Sequence, residues 1–344
     1  MNRLLNALGT VETRFACVTH VEVTSARAGA QQAWPEWTPE WVRSGYQFLG
    51  VSEPWVHQVE AMESGRLGHT VIATSTGSGK SLALWTPVLA ALDTPRPLGR
   101  ITELRSRPAA LYLAPTKALA ADQDTALTGL FQAAGVPGWL AATCDGDTPR
   151  ETRRYLQSHA DILLTNPDFL HFSLLPAHAR WAGLLRGLRY VIIDELHAYR
   201  GVMGAHVAWV LRRLRRLARH YGADPVFLAA SATVCQPDAA LARLIGSEIQ
   251  QVTAVTEDTS EQGEQTLVLW RPEITADPEN VTSPENPANL GNPQPAASPT
   301  VGNQAASDWQ TDDSDDNAAS ATETSPIQTE TPRRSATLEA ARLL

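Results

Sequence analysis

Short apolar runs separated by longer amphipathic stretches dominate the chain from about Trp55 to Thr253. Continuous apolar runs of this length are typical of strands that are buried on both faces of a parallel sheet. The predicted strands are 69–74, 109–114, 139–143, 161–165, 189–194, 226–230 and 249–253. The helical stretches between them include 80–92, 116–133, 149–158 and 204–221. The alternation predicts an α/β fold with a doubly wound parallel sheet, whose site of chemistry lies at the carboxyl ends of the strands.

Both ends of the chain depart from this pattern. Residues 1–50 are predicted to be an N-terminal extension, and residues 51–256 to be the main domain. Residues 257–332 are rich in Pro, Asn, Ser, Thr and acidic side chains, and this composition predicts a disordered acidic linker. Within it Thr266–Trp270 is a candidate strand, and residues 333–344 resemble the opening of another helix.

The charge of the chain is unevenly distributed. The formal net charge is -9, but Glu257–Pro332 holds 15 acidic residues and one basic residue, which leaves 27 basic and 22 acidic residues elsewhere. That mildly basic remainder permits phosphate binding. Cys17, Cys144 and Cys235 lie far apart, so reduced thiols are expected rather than disulfides or a zinc site. No stretch approaches the ~20 apolar residues of a membrane span, so we expect no membrane partner and a cytoplasmic protein.

The strongest local signal is TSTGSGKS, which follows an apolar strand and opens a helix. A phosphate-binding loop requires this context, because glycines let backbone N–H groups face the phosphates at a helix N-terminus. Lys80 would reach the β- and γ-phosphates of ATP, and the Ser81 hydroxyl would bind Mg²⁺. The general pattern has Gly where this chain has Thr74. The predicted ATP-binding residues of this loop are Thr74, Ser75, Thr76, Gly77, Ser78, Gly79, Lys80 and Ser81.

A second signal is VIIDELH, in which an apolar strand delivers two carboxylates to its carboxyl end. Asp194 would hold Mg²⁺, and Glu195 would orient or deprotonate the attacking water. A solvated strand end is the alternative for this segment alone. Together with the phosphate loop, however, the pair completes the catalytic set Lys80, Asp194 and Glu195 for phosphoryl transfer.

The order of these segments resembles the motif series of superfamily 2 helicases of the DEAD/DExH-box type. GSGKS, DELH and Ser231–Thr233 resemble motifs I, II and III. Ala114–Gln123, Asp145–Arg153 and Leu163–Leu170 fall in order between them and resemble the family's intervening motifs. DELHAYRG, followed by a long helix, is most similar to the MrfA/YprA-like branch, which is linked to DNA repair. The resemblance covers about residues 30–255 and implies a RecA-like P-loop NTPase lobe.

The resemblance implies a role for each matching residue. Gln58 would read the adenine edge of ATP. Coupling between the ATP site and the nucleic acid would fall to His197, Ser231, Ala232 and Thr233. Contacts to one nucleic-acid strand would come from Pro115, Thr116, Lys117, Gly146, Thr165, Asn166, Pro167 and Asp168. For Thr165–Asp168 alone, a strand end followed by a helix cap is the alternative.

Lysine usage gives an independent hint. The chain has 28 Lys and Arg residues, and only Lys80 and Lys117 are lysines. A compact ammonium retained against this bias suggests phosphate contact at both positions, with chance as the alternative.

Two other groups of side chains have two interpretations. The arginines among residues 211–221 would be the solvated face of an amphipathic helix, or a secondary contact to the DNA backbone. Trp34, Trp37 and Trp41 have helical spacing, which places three rings on one face. Those rings would pack on the main domain or stack on bases.

In this family a second lobe closes on ATP, and we expect residues 333–344 to be its truncated start. The expected function is an ATP-dependent helicase that acts on DNA with a single-stranded region. The alternative is a nucleotide- and DNA-binding module without significant turnover. Arginine fingers that accelerate ATP hydrolysis come from the second lobe, of which only the start is expected in residues 333–344. A P-loop protein that remodels proteins would leave APTKALA and TNPD as coincidences.

Overall fold

The computed structural model of the chain describes residues 18–93, 107–136, 139–232 and 234–270. After an N-terminal strand β1 (Val18–Thr24), seven strands form one parallel sheet in the order β4-β5-β3-β6-β7-β2-β8. These strands are β2 (His69–Ala73), β3 (Ala109–Leu113), β4 (Ala141–Thr143), β5 (Ile162–Thr165), β6 (Leu188–Ile193), β7 (Val226–Ser231) and β8 (Val252–Val255). The predicted doubly wound α/β fold is confirmed.

Helices cover both faces of the sheet. One layer contains α1 (Glu40–Phe48), α2 (Val56–Leu67), α3 (Lys80–Leu92) and α4 (Lys117–Ala133). The other contains α5 (Arg150–His159), α6 (Ala182–Gly187), α7 (Gly201–His220) and α8 (Pro237–Ile245). Alternate strand residues enter opposite layers: Leu111 packs in the α7 layer and Tyr112 in the α3 layer. Burial on both faces is the reason that the strands are continuous apolar runs in the sequence.

The predicted strands agree with the observed ones to within a residue at each end, except that β4 begins at Ala141, later than the predicted 139–143, and that the last strand is displaced. Strand β8 begins at Val252, because Ile249–Gln251 forms a 3₁₀ turn before it. The predicted run 249–253 therefore starts too early. Among the helices, 80–92 matches α3, and α7 begins at Gly201 rather than at residue 204.

A two-stranded antiparallel ribbon changes the predicted domain boundaries. Strand β1 pairs with β9 (Gln265–Trp270), which confirms the strand candidate Thr266–Trp270. The pairing continues at Arg27 and Gln262. Segments predicted as an extension and as a disordered linker thus meet, and the predicted linker start at residue 257 is wrong. Hydrogen bonds along the ribbon satisfy the backbone polar groups that a disordered segment would leave to water.

The predicted boundary at residue 50 is also wrong. Val42 of α1 is fully buried in the core of the main domain, and Gly45 lies against Leu130 of α4. Helix α1 therefore belongs to the sheet's helix layer rather than to a separate extension. Its apolar face needs this burial, because a nine-residue helix is not stable alone in water.

The spacing of the three N-terminal tryptophans predicted that they share one helix face, and the structure shows that they do not. Trp34 and Trp37 precede α1, and only Trp41 lies in it. The Trp34 indole donates to the Ser52 carbonyl, whereas Trp37 donates to the Glu63 carboxylate. Each ring is half-buried against the main domain, so the packing interpretation is supported. Pro39 starts the helix too late for the first two rings to join it.

The described residues all fall within the first of two units of the chain, Met1–Ile274. The remainder of the predicted linker, 271–332, and the predicted second-lobe start, 333–344, lie outside the described residues. None of the helices in the described part of the chain has the length and apolar character needed to cross a membrane.

Candidate functional site

The loop between β2 and α3 makes a tight backbone turn. Gly77 and Gly79 have φ of 84° and 77°, the left-handed region that favours glycine. A Cβ at Gly79 would collide with the side-chain amide nitrogen of Gln58. Lys80 follows at the first position of α3, where a helix N-terminus favours anions.

Thr74, which departs from the usual glycine, has a structural role in this loop. It is buried, and its hydroxyl lies 2.7 Å from the buried hydroxyl of Ser78. This hydrogen bond joins the two ends of the curl. A threonine is tolerated at position 74 because its side chain points into the loop's own interior.

The Lys80 ammonium is folded back onto the loop. It donates to the carbonyls of Thr74 and Ser75 at 3.1 and 2.8 Å. Burial lowers the pKa of Lys80, and the nearby carboxylates of Glu195 and Asp194 act in the opposite direction. The structure therefore brings the three predicted catalytic side chains into one electrostatic environment.

Gln58 contacts this loop rather than facing solvent. Its amide nitrogen donates to the carbonyls of Ser78 and Gly79 at 3.0 and 3.1 Å. Its carbonyl oxygen accepts from the Trp55 N–H at the start of α2, at 2.8 Å. In this structure the side chain of Gln58, the residue predicted to read adenine, thus connects the start of α2 to the phosphate loop by hydrogen bonds.

A cavity of about 400 Å³ opens beside Gln58 and the loop glycines. It lies within the size range of small-molecule sites. Its walls are mostly apolar and include Tyr46, Leu49, Val51, Trp55 and Leu82. Because α1, α2 and α3 all contribute to it, the sequence alone did not indicate this cavity.

Asp194 is fixed by two hydrogen bonds at the end of β6. One oxygen accepts from the Glu195 N–H at 2.9 Å, and the other accepts from the Tyr112 hydroxyl. Tyr112 is buried in β3, the strand next to β6, and stacks on Trp85. Burial, followed by the Asp194 charge, raises the pKa of Tyr112, so its hydroxyl remains a donor.

Glu195 begins a sharp turn at the strand end. It has φ of 48°, which is uncommon for a residue other than glycine. This conformation directs its carboxylate towards His197, whose Nδ1 lies 3.1 Å from a Glu195 oxygen. The same Nδ1 lies 3.3 Å from the Ala232 N–H.

His197 thus connects the second and third predicted motifs. Ser231 ends β7 and is fully buried, and its hydroxyl has no partner among the described residues. Thr233 lies outside the described residues. His197 Nδ1 is therefore close to both Glu195 and Ala232, and the coupling role of these residues stays a prediction.

The proposed Mg²⁺ ligands are hard oxygen donors, which this ion prefers. Ser81 is exposed at the start of α3, and its hydroxyl accepts from the Gln123 amide at 3.3 Å. Asp194 is half-buried and already oriented by Tyr112. A hydroxyl and a pre-oriented carboxylate fit Mg²⁺ that keeps most of its water ligands.

The residues predicted to contact nucleic acid lie at the ends of β3, β4 and β5. Thr116 is the N-cap of α4, where its hydroxyl accepts from the Leu119 N–H, and Pro115 precedes it. Lys117 is half-exposed and pairs with Asp147 and, at 3.7 Å, with Asp145. The two carboxylates flank the exposed Gly146.

At the end of β5, Thr165–Asp168 forms a strand end followed by a helix cap. Thr165 is buried, and its hydroxyl donates to the Cys144 carbonyl, so its side chain does not face a ligand. The side-chain Oδ1 of Asn166 caps the following turn by accepting from Phe169 N–H at 2.8 Å. Pro167 is buried as well, and only Asp168 is exposed. The predicted contacts of Thr165 and Pro167 are therefore corrected to packing.

The arginines of α7 are not simply a solvated face. Arg215 donates to the carbonyls of Ile245 and Gly246, and Arg212 donates to that of Arg243. These carbonyls end α8, where no intrahelical donor is available to them. The interpretation of a wet face holds for Arg216 and Arg219, which are exposed.

Comparisons with known proteins agree with this geometry. The family model for the DEAD/DEAH box helicase matches residues 55–240. The chain belongs to this helicase family. It is 36% identical over 259 residues to the uncharacterized ATP-dependent helicase YprA of Bacillus subtilis, which covers 74% of this chain. It is 38% identical over 235 residues to the ATP-dependent helicase HRQ1 of Saccharomyces cerevisiae, which covers 67% of this chain.

A solved structure of the DUF1998 helicase MrfA bound to DNA and AMPPNP superposes with a TM-score of 0.69 at 34% identity, over 78% of this chain. These similarities confirm the RecA-like lobe and the MrfA/YprA-like branch. This chain spans 32% of YprA, 20% of HRQ1 and 36% of MrfA. It thus corresponds to about a third or less of each relative's length.

One part of the helicase site was not predicted from sequence. Asp258, after β8, accepts from the Ser75 N–H at 3.2 Å and from the Ser75 hydroxyl. Arg27 forms an ion pair with it at 3.1 Å. Burial would raise the pKa of Asp258, but hydrogen bonds from Ser260 and Ser75 outweigh it and hold the pKa well below its usual range. No local motif marks this residue.

His57 belongs to the same cluster. Burial lowers the pKa of its imidazole, which favours the neutral form. Its Nδ1 accepts from the Thr259 N–H at 3.1 Å, so Nε2 carries the proton and donates to the Ser78 carbonyl at 3.2 Å. His57 therefore links the 257–263 segment to the phosphate loop.

Proposed function

We propose that this chain is the ATP-binding lobe of an ATP-dependent helicase that acts on DNA. The observation that carries the proposal is the convergence of Lys80 with Asp194 and Glu195. Lys80 follows β2 and the carboxylates follow β6, two parallel strands that flank β7, so the three side chains lie at the same carboxyl edge of the sheet. There each carboxylate charge acts on the pKa of Lys80. Phosphoryl transfer requires this combination of a phosphate-binding cation, a metal-binding carboxylate and a second carboxylate that positions water.

The residues would divide the chemistry as follows. On nucleotide binding, Lys80 would exchange the carbonyls of Thr74 and Ser75 for phosphate oxygens. Glu195 would accept a proton from the attacking water, and its unusual backbone conformation sets where that carboxylate lies. Ser81 and Asp194 would hold Mg²⁺, which neutralises phosphate charge when bound.

The cavity beside Gln58 is the proposed site of the adenine base. Its apolar walls suit a planar heterocycle, and it adjoins the loop that would hold the phosphates. Gln58 would read the base edge with hydrogen bonds that it now gives to Ser78 and Gly79. The adenine preference therefore depends on a rearrangement of one side chain.

DNA with a single-stranded region is the proposed track. The related helicase MrfA has been solved bound to DNA, which supports this substrate class. The exposed residues that follow β3 and β4, among them Lys117 and Gly146, would contact strand phosphates, which are the same at every step of translocation. The proposal also includes a second lobe and a role in repair. A cytoplasmic location is proposed because the three cysteines are far apart in sequence, which is typical of reduced thiols in that compartment.

The test of the ATP site uses the two lysines of the chain. Lys80→Ala should abolish binding of a fluorescent ATP analogue in the presence of Mg²⁺, because no other side chain can replace its ammonium. Lys117→Ala is the matched control and should bind the analogue as wild type does. ATP should compete with the analogue better than GTP. Equal binding by wild type and Lys80→Ala would contradict the assignment.

A further inference from the structure

A wide groove lies between α7 and α8, apart from the ATP site. Its volume is about 800 Å³, and it lies at the carboxyl ends of β6 and β7. Leu196 and His197 line one end, Cys235 follows β7, and Gly204 allows α7 to approach the turn at Tyr199. A nucleotide-sized ligand could enter a groove of this volume.

The charged side chains that line the groove are all arginines. Arg200, Arg212 and Arg243 line it, and no aspartate or glutamate does. Among the ion pairs of the described residues, none involves Arg200, Arg212 or Arg243. Helix α7 itself contains no acidic residue. Such a groove attracts a polyanion.

Trp209 adds an aromatic platform at the rim. Its ring is 68% exposed, which is unusual for tryptophan in a folded domain. The guanidinium carbon of Arg212 lies 5.4 Å from the ring centroid and covers one face. The other face is open for stacking, and a cation behind an aromatic ring is typical of sites for single-stranded nucleic acid.

The groove continues the predicted DNA track along the same edge of the sheet. The track residues follow β4, β5 and β3, and the groove residues follow β6 and β7, the next strands in the sheet order. A direct contact bridges the two regions, because Arg213 of α7 lies 2.7 Å from His171, just after the Asn166 cap.

We propose that this groove binds single-stranded nucleic acid, with one base stacked on Trp209 and the adjoining phosphates held by Arg200 and Arg243. The inference rests on the proposed function and extends it, since the strand would pass from the β3 end across α7. The partner is identified by its chemistry: a polyanion with exposed planar rings matches a cationic groove with one open aromatic face.

The experiment compares two probes of equal charge on the full 344-residue chain. One is a fluorescent oligothymidine of about 20 nucleotides, and the other is an abasic oligomer of the same length. Trp209→Ala should weaken oligothymidine binding about five-fold or more, the usual worth of one stacked base, and leave abasic binding unchanged. Trp209→Phe should retain most of the affinity. Arg243→Ala should weaken both probes and reduce the salt slope by ~0.7.

Two matched controls report non-specific effects. Phe48→Ala removes an aromatic ring that is 78% exposed on α1, in the opposite helix layer. Arg186→Ala removes an exposed arginine just before β6, at the opposite edge of the sheet. Both should bind the probes as wild type does, and circular dichroism should show that every variant is folded.

The outcomes separate this inference from the proposed function. If Trp209→Ala binds oligothymidine as wild type does while Lys117→Ala binds it more weakly, the track stands and the groove proposal fails. Equal losses on both probes would also overturn the stacking role. A concentration-dependent dimer that Trp209→Ala dissociates would identify the groove as an interface between copies instead. No oligothymidine binding by wild type would overturn both proposals.

Discussion

At the scale of single residues, Lys117 shows how a predicted phosphate contact is held before its ligand arrives. Its ammonium pairs with Asp147 and lies 3.7 Å from Asp145. The hydrogen bond to Asp147 is the main cause that raises the pKa of Lys117, so it is fully charged at neutral pH. Asp145 and Asp147 thus hold the lysine, and they would compete for it with the strand phosphate that we propose it contacts.

This competition predicts opposite effects of two substitutions on the affinity for single-stranded DNA. Lys117→Ala should weaken single-stranded DNA binding across sequences and reduce the log–log salt slope by ~0.7, one phosphate's worth. Asp147→Asn should strengthen binding, because it removes a competing charge. Salt titrations of DNA affinity measure both. An unchanged slope in Lys117→Ala would make Lys117 a structural lysine, and weaker binding by Asp147→Asn would refute the competition.

At the scale of elements, the ribbon of β1 and β9 leads to the phosphate loop through Asp258. The segment after β8 is held by Arg27 on one side and by Ser75 on the other. We expect Asp258→Asn to lower the free energy of unfolding by about 1.5–3 kcal/mol, the range for hydrogen bonds to a charged group. Glu264→Gln, an exposed carboxylate in the same segment, is the matched control.

The pKa of Asp258 determines how the difference in unfolding free energy between wild type and Asp258→Asn depends on pH. Because folding lowers this pKa, the carboxylate contributes stability that is fully present above its unfolded value near 4 and is lost as pH falls below it. Urea unfolding of wild type and Asp258→Asn should therefore differ most at neutral pH and converge in acid. A gap that persists unchanged in acid would contradict an ionised Asp258.

At the scale of the whole molecule, the two helix layers share one sheet. Trp181 is buried in the α7 layer, whereas the phosphate loop opens into α3 in the other layer. Trp181→Ala should cost about 3–5 kcal/mol through the cavity that it leaves. If the layers unfold together, nucleotide binding and far-ultraviolet dichroism should be lost at the same, lower denaturant concentration.

The control for this substitution is Phe172→Ala in the same layer, where the ring is 71% exposed. It should change stability by no more than about 0.5 kcal/mol. Separate transitions for nucleotide binding and for dichroism in Trp181→Ala would mean that the layers unfold independently.

The amino-acid sequence by itself determined the sheet, the phosphate loop and the carboxylate pair. Each is encoded within a few neighbouring residues: a strand buried on both faces needs a continuous apolar run, and a curled loop needs glycine at positive φ, as at Gly77 and Gly79. These requirements are local, so they can be recognised without knowing what surrounds them.

Only the tertiary structure decided what surrounds the site. Asp258 is 183 residues from Ser75, and Tyr112 is 82 residues from Asp194, so no spacing in the sequence relates them. The boundary at residue 257 was misplaced because β1 and β9 satisfy each other's backbone hydrogen bonds, and neither strand predicts its partner. The boundary at residue 50 was misplaced because Val42 of α1 is buried in the core of the main domain, a contact that the helix sequence alone does not predict. Residue types define which contacts are chemically possible, and the order of strands in the sheet selects which of them form.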